Sequence, residues 1–365
     1  MARLHDWFIE TMINTLREKN FDLENTEKLN DIVSTVVGNS APEASNVILK
    51  SLKANAGEML QEHFLIRQEF EARLLRRWAK PLNMLEMLIV ISLESAEMLL
   101  SNDDFVTSQE HSFLFQVLAN IHARAIQISY EILCLLRGGY PDGALARWRT
   151  LYELAIVALF LDKHGNEVAE RYFGYQAIEN YREMLEYQLH CEQLGYEPLE
   201  PDEISEVEKQ RKNAIDKYGP EFNKDYGWAI AALRKKKVIF KDLEDEVELD
   251  HMRPYYKLAC NFVHSGPKGA YFKMGLIDNH KANELMVSGA SNYGLADAGQ
   301  NTCLSLTQIT NCLLSLQPTF DSIVTMKIMT MLIKEICDSF VQVQRDIEEE
   351  EKSKIRKFRI KNKSI

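Results

Sequence analysis

Between Leu151 and Leu161, ten of eleven residues are apolar or aromatic, and the exception is Glu153. A helix over 141–164 therefore has no broad polar face to turn toward water, and such a helix is buried on every side. Gly138-Gly139 break the chain before it, Pro141 suits the first helical position, and Asp142 falls in the first turn, where the helix dipole favours an anion. A fully buried helix needs neighbours all round it. The fold class that follows is all-α, a multi-helix bundle around a central helix at 141–164.

The rest of the chain supplies the neighbours. Its 365 residues contain 16 Gly and 9 Pro, well under the usual ~12% for the pair, which disfavours an all-β fold with many tight turns. Short amphipathic helices are predicted at 3–19 and 24–37. From Pro42 to Trp78, Leu52, Ala56, Met59, His63, Ile66, Phe70 and Leu74 step by three and four and make one apolar stripe. Pro81 is expected to open a helix to about Leu100, and Thr107-Ser-Gln-Glu110 reads as a capping box starting a helix to Leu136. His63 and His122 lie on apolar stripes and read as core histidines with satisfied ring nitrogens. Further helices are expected at 166–194, 202–217, 251–264, 295–316 and 318–348. The segment 219–250 reads as a surface insertion with short helices. A small β-hairpin is predicted near 270–290, around Asp278-Asn279. The domain division expected is an N-terminal helical subdomain over 1–100, a central helical domain over 101–348 and a frayed basic tail over 349–365.

The formal net charge is −11 even though residues 352–365 carry seven Lys and Arg and no acid. An acidic body repels nucleic acid in general, so RNA or DNA would need a local basic site. The six cysteines are scattered without a CxxC pair and read as reduced residues of a cytoplasmic protein. No segment has the pattern of a signal peptide or the length of an apolar membrane span. Histidines do not cluster at metal-ligand spacing, so no metal is expected, and no P-loop, GxGxxG or GxSxG suggests a cofactor or nucleophile.

Two polar constellations remain. Arg149 and Glu153, four apart, share a face of the buried helix, while Arg147 points about 160° away. They read either as an ion pair fixing helix register or as a cation aimed at an anionic group. The second constellation is His251-Met-Arg-Pro-Tyr-Tyr-Lys-Leu-Ala-Cys-Asn-Phe-Val-His-Ser-Gly. Arg253, Tyr256, Cys260 and His264 step along one face, with Asn261 and Ser265 beside His264. His264 is either a helix C-terminal cap or a general acid and base.

These residues carry a resemblance. Arg137-Gly-Gly-Tyr140, Ala144 and Arg147-Trp-Arg149-Thr-Leu-Tyr-Glu153, then Tyr218-Gly-Pro-Glu-Phe222 with Asp225-Tyr-Gly-Trp228, then Tyr256 with Asn261-Phe-Val-His264-Ser, resemble in order the motifs of the family called domain of unknown function 5677. The resemblance covers roughly 110–315 and implies a bacterial, mostly helical protein without an agreed activity. The arrangement is also loosely similar to HEPN-type helical proteins, many of them metal-independent RNases of toxin and antiviral systems. Those carry Arg, four to six residues, then His. Here ten residues separate Arg253 from His264, ~16 Å along a helix, so an RNase reading needs Arg149 instead. The function expected first is a helical binding or effector protein whose Arg/Glu/His centre holds an anionic group. The alternative is an RNase using Arg149, Glu153, His264 and Asn261. Arg253, Tyr256, Ser265 and Tyr140 are the candidate ligand-binding residues. RNA or a small anionic ligand are the candidate partners, without a membrane, and the 42–78 helix is a candidate for self-association.

Overall fold

The computed structural model describes residues 2–18, 26–109, 112–264, 266–277 and 288–363, and side chains among these except 2–5, 7, 26–28 and 355–363. The helices are α1 (Ala2–Glu18), α2 (Thr26–Leu100), α3 (Asp103–Ser108), α4 (Phe113–Arg137), α5 (Pro141–His164), α6 (Asn166–Gly174), α7 (Gln176–His190), α8 (Pro201–Tyr218), α9 (Ile230–Leu233), α10 (Phe240–Glu246), α11 (Arg253–Val263), α12 (Pro267–Tyr271), α13 (Ala296–Leu314) and α14 (Phe320–Lys363). The described residues contain no strand, so the architecture is all-α. Residues 272–277 form turns rather than a hairpin limb, and 278–287 lie outside the described residues. Two compact units are present, Met1–Phe70 and Glu71–Ile365. No described helix is long and apolar enough to cross a membrane.

The second unit is built on α5. Ala144, Leu145, Trp148, Leu151, Tyr152, Ala155, Ile156, Ala158, Phe160 and Leu161 are buried, and nothing from 141 to 161 is exposed. Helices α4, α13 and α11 pack against it. Trp148 Nε1 donates to Asn301 O at 3.0 Å and Ser305 Oγ at 3.1 Å on α13, which satisfies the indole where no water reaches. Helix α13 meets α14 closely. A Cβ on Gly299 would lie 2.2 Å from the buried Phe340 ring.

Several boundaries differ from those the sequence suggests. Pro42 and Pro81 lie inside α2 instead of opening helices. Pro81 lacks the N–H that would bond to the Arg77 carbonyl, a defect of ~3 kcal/mol in an isolated helix. Here Leu74, Trp78, Leu82, Leu85, Leu88 and Ile89 are buried on either side of it, and that packing outweighs the local defect. Thr107 belongs to the last turn of α3, while Ser112 caps α4 by accepting from Phe115 N at 3.2 Å. The helix expected over 166–194 breaks after Gly174, where a Cβ would meet the Tyr218 ring at 3.0 Å.

The segment 219–250 is not a surface insertion. Phe222, Trp228, Val238, Leu243 and Glu244 are buried, and Trp228 stands edge-on to Phe160 at 5.4 Å and Tyr172 at 5.0 Å. The acidic run misleads because Glu244 is buried with partners of its own.

His122 is a core histidine as expected, with Nε2 3.1 Å from Ser92 Oγ and 3.2 Å from Thr310 Oγ1. His63 is not. It is exposed, because the stripe it belongs to lies open over 49–66.

Two outcomes follow from this packing. Gly299→Ala should lower stability by ~1–3 kcal/mol, the cost of overpacking a close contact, and unchanged thermal unfolding would contradict the geometry. Burial pushes the His122 imidazole down to about 4 from 6.5. Below pH 6.5 the unfolded chain binds a proton that the folded site refuses. Stability should therefore fall by about 3 kcal/mol as pH drops from about 6.5 to about 4. His122→Gln should lack this component in urea titrations across that range.

Candidate functional site

Helix α11 runs antiparallel to α5. Its start, Arg253, joins Glu244, which also holds Tyr152, its next turn brings Tyr256 to Arg149 and Glu153, and its end places His264 in one hollow with Asp142 and Gly143. The amphipathic pattern of α11 explains this docking, with Tyr256 and Ala259 buried toward α5.

The first polar region is half-buried and engaged in its own contacts. Arg149 Nη2 lies 2.9 Å from Glu153 Oε1 and donates to Tyr256 Oη at 3.2 Å. Tyr256 Oη donates to Glu153 Oε1 at 2.7 Å. The guanidinium also lies 5.2 Å from the Tyr256 ring centroid, within cation–π range. Burial and then the Glu153 carboxylate hold the Tyr256 hydroxyl protonated well above its usual range, so it remains a donor. Among the described residues, the buried Arg149 Nε has no hydrogen-bond partner. Arg149 is thus committed to Glu153 and Tyr256. Arg147 does point elsewhere and pairs with Glu131 of α4.

One turn along, Glu244 is fully buried, accepts from Tyr152 Oη at 3.1 Å and pairs with Arg253. Burial pushes its carboxyl up, opposed by the Arg253 charge and the Tyr152 hydroxyl. Arg253 is thus engaged by Glu244.

The second polar region is open. A hollow of about 380 Å³ is lined by Asp142, Gly143, Asn261, Phe262, His264, Gly269 and Lys273 among others. A smaller one of about 150 Å³ adds Tyr140, Pro141 and Ser291 and shares Asp142, Gly143 and Lys273. Together they form a cleft at the start of α5. His264 is exposed at the C-terminal end of α11, and its imidazole has no polar partner among the described residues. Asn261 Nδ2 donates to Lys257 O at 3.0 Å and Leu258 O at 3.2 Å, closing the last turn of its own helix. Met274 N donates to Asp142 Oδ1 at 2.8 Å, and Lys273 Nζ lies 4.0 Å from Asp142 Oδ2. Burial raises the Asp142 carboxyl, and the Met274 amide and Lys273 counter it. Gly269 is required where α12 crosses α11, since a Cβ would come within 1.9 Å of Asn261 O.

Of the predicted site residues, Arg149, Glu153 and Tyr256 come together, Asn261 and His264 line one hollow, and Tyr140 lines the smaller hollow that shares Asp142, Gly143 and Lys273 with it. Ser265 lies outside the described residues. Among the described residues, no hydrogen bond or ion pair joins His264 to Arg149 or Glu153. Arg149 is seven residues along α5 from Asp142, and Tyr256 is eight along α11 from His264, which puts the two regions ~10–12 Å apart. The sequence reading missed Glu244 and Lys273. The signal for Glu244 was weak, being one buried acid within a run of acids. Among the described residues no three His, Cys, Asp or Glu converge as a metal site.

Residues 115–282 match the model of a family described as a family of unknown function (DUF5677), to which the chain is similar over that stretch. No curated protein and no solved structure matches the chain. The matched stretch contains both polar regions, and nothing in the comparisons supports the likeness to HEPN proteins.

Tyr256→Phe removes the donor to Glu153 and the acceptor for Arg149. It should cost ~1–3 kcal/mol in urea unfolding. A change under ~0.5 kcal/mol, the range of an uninvolved surface substitution, would mean that the three residues do not act as a unit.

Proposed function

We propose that this chain is a non-catalytic helical binding protein whose ligand, a small molecule with one anionic group, enters the cleft at the start of α5. The observation that carries this reading is the convergence of Tyr140, Asp142, Asn261, His264 and Lys273, from three separated parts of the sequence, on one open cleft. Lys273 supplies a positive charge, the His264 ring can donate a hydrogen bond, and the first turn of a helix favours an anion. The Asp142 carboxylate in the same cleft opposes a polyanion. That favours a single anionic group over an RNA backbone.

The RNase alternative draws no support from this arrangement. It needs Arg149 and His264 on one phosphate, and Arg149 is held by Glu153 and Tyr256 in the other polar region. The cation beside His264 is Lys273, and Asp142 4.0 Å from its Nζ offsets the charge it could offer a phosphoryl transition state.

Thermal unfolding against inorganic phosphate, small carboxylates and nucleoside mono- and diphosphates tests the proposal. One or more should stabilise the chain, by ~1.4 kcal/mol for each tenfold excess over Kd. His264→Ala should abolish that gain and leave the unliganded midpoint within a degree or so, since the imidazole has no partner to lose. No stabilisation by any probe, or equal stabilisation of His264→Ala, would refute the site. RNA cleavage in EDTA that disappears in His264→Ala would refute the non-catalytic reading.

A further inference from the structure

Within Met1–Phe70, α2 carries an apolar face that is exposed among the described residues. Leu49, Leu52, Met59, Leu60 and Ile66 are 49%, 50%, 45%, 61% and 55% exposed. Monomeric proteins seldom leave so continuous an apolar surface in water, and most helix stability in proteins comes from packing an amphipathic face. The question is what covers it.

The spacing points to like helices. Leu49, Leu52, Ala56, Met59, His63, Ile66 and Phe70 follow steps of 3, 4, 3, 4, 3 and 4, the a and d positions of three heptads. Sustained 3.5-residue spacing is what two helices need to keep one seam in contact while they supercoil. The flanks then take defined positions. Lys53, Leu60 and Arg67 fall at e, and Asn55 and Glu62 at g. In a parallel pair, a g residue meets the e residue five positions further on in the other strand, so Glu62 meets Arg67 of the second copy, twice by symmetry. An antiparallel pair would set Glu62 among g residues and Arg67 among the e residues, with no such match. The opposite face of the helix holds Glu58 as well as Lys50, so it lacks the uniformly basic polar face of helices that lie on anionic membranes.

We infer that residues 49–70 form a parallel coiled-coil seam with the same segment of a second copy of this chain. Leu60 at e and Ile48 at g widen the apolar contact beyond the a and d rows. His63 is the one polar group in the seam, at an a position, where a single polar residue fixes register at some expense of stability.

Sedimentation equilibrium of the full chain should give a dimer. Leu52→Glu/Ile66→Glu should give a monomer with unchanged cooperative unfolding of the rest of the protein, because both side chains are exposed in the single chain. Glu62→Lys should raise the dimer dissociation constant about fivefold, the worth of two exposed ion pairs, and Glu62→Lys/Arg67→Glu should restore it. A full chain that stays monomeric at high micromolar concentration would overturn the inference. So would a dimer that survives Leu52→Glu/Ile66→Glu, or a charge swap that fails to restore what Glu62→Lys loses.

Discussion

The burial of α5 on all sides is the constraint from which the second unit follows. A helix with so little exposed surface needs protein partners for most of the polar atoms it carries. Trp148 therefore fixes α13 through Asn301 and Ser305. Tyr152 fixes the turn around Leu249 and the buried Glu244, and Arg149 with Glu153 fixes α11 through Tyr256. Trp148, Tyr152 and the Arg149–Glu153 pair thus tie α5 to different neighbours. Truncating Tyr152 would leave the fully buried Glu244 short of a donor, which costs more than the bond itself contributes. The segment 219–250, despite its charge, becomes part of the wall for the same reason, since Glu244 is needed inside.

This division of labour separates the polar groups that hold the fold from those left over. Arg149, Glu153, Tyr152, Arg253 and Tyr256 are consumed by the docking of α10 and α11. What the packing does not use collects at the start of α5, where α11 ends and α12 crosses it. There the imidazole of His264 faces an open cleft, beside a first turn whose Asp142 is already engaged by the Met274 amide. Groups that a fold does not need are the ones free to meet a ligand.

Much of this was legible in the sequence, and the failures are instructive. The composition of 151–161 announced a buried centre, and Pro141 marked its start, because those signals are local. The order of the three motifs carried the family resemblance. Helix boundaries at Pro81 and Thr107 failed, since packing of Trp78 and Leu82 overrides a missing N–H and a cap depends on the turn that precedes it. The site failed in a different way. Arg149 and His264 lie 115 residues apart in sequence, and their proximity depends on the direction in which α11 docks. Only the register set by Tyr256 decides that they fall in separate regions. Glu244 was hidden among acids that are solvated, and no spacing rule distinguishes a buried carboxylate from an exposed one.

The central claim is that the Arg149–Glu153–Tyr256 set and the His264 cleft are energetically distinct. A double-mutant cycle in urea unfolding with Glu153→Gln and His264→Ala measures this directly. Sites more than 7–10 Å apart without shared partners are additive within ~0.3–0.5 kcal/mol, and the account predicts additivity in that range. A coupling energy above about 1 kcal/mol would show one composite centre and would contradict it.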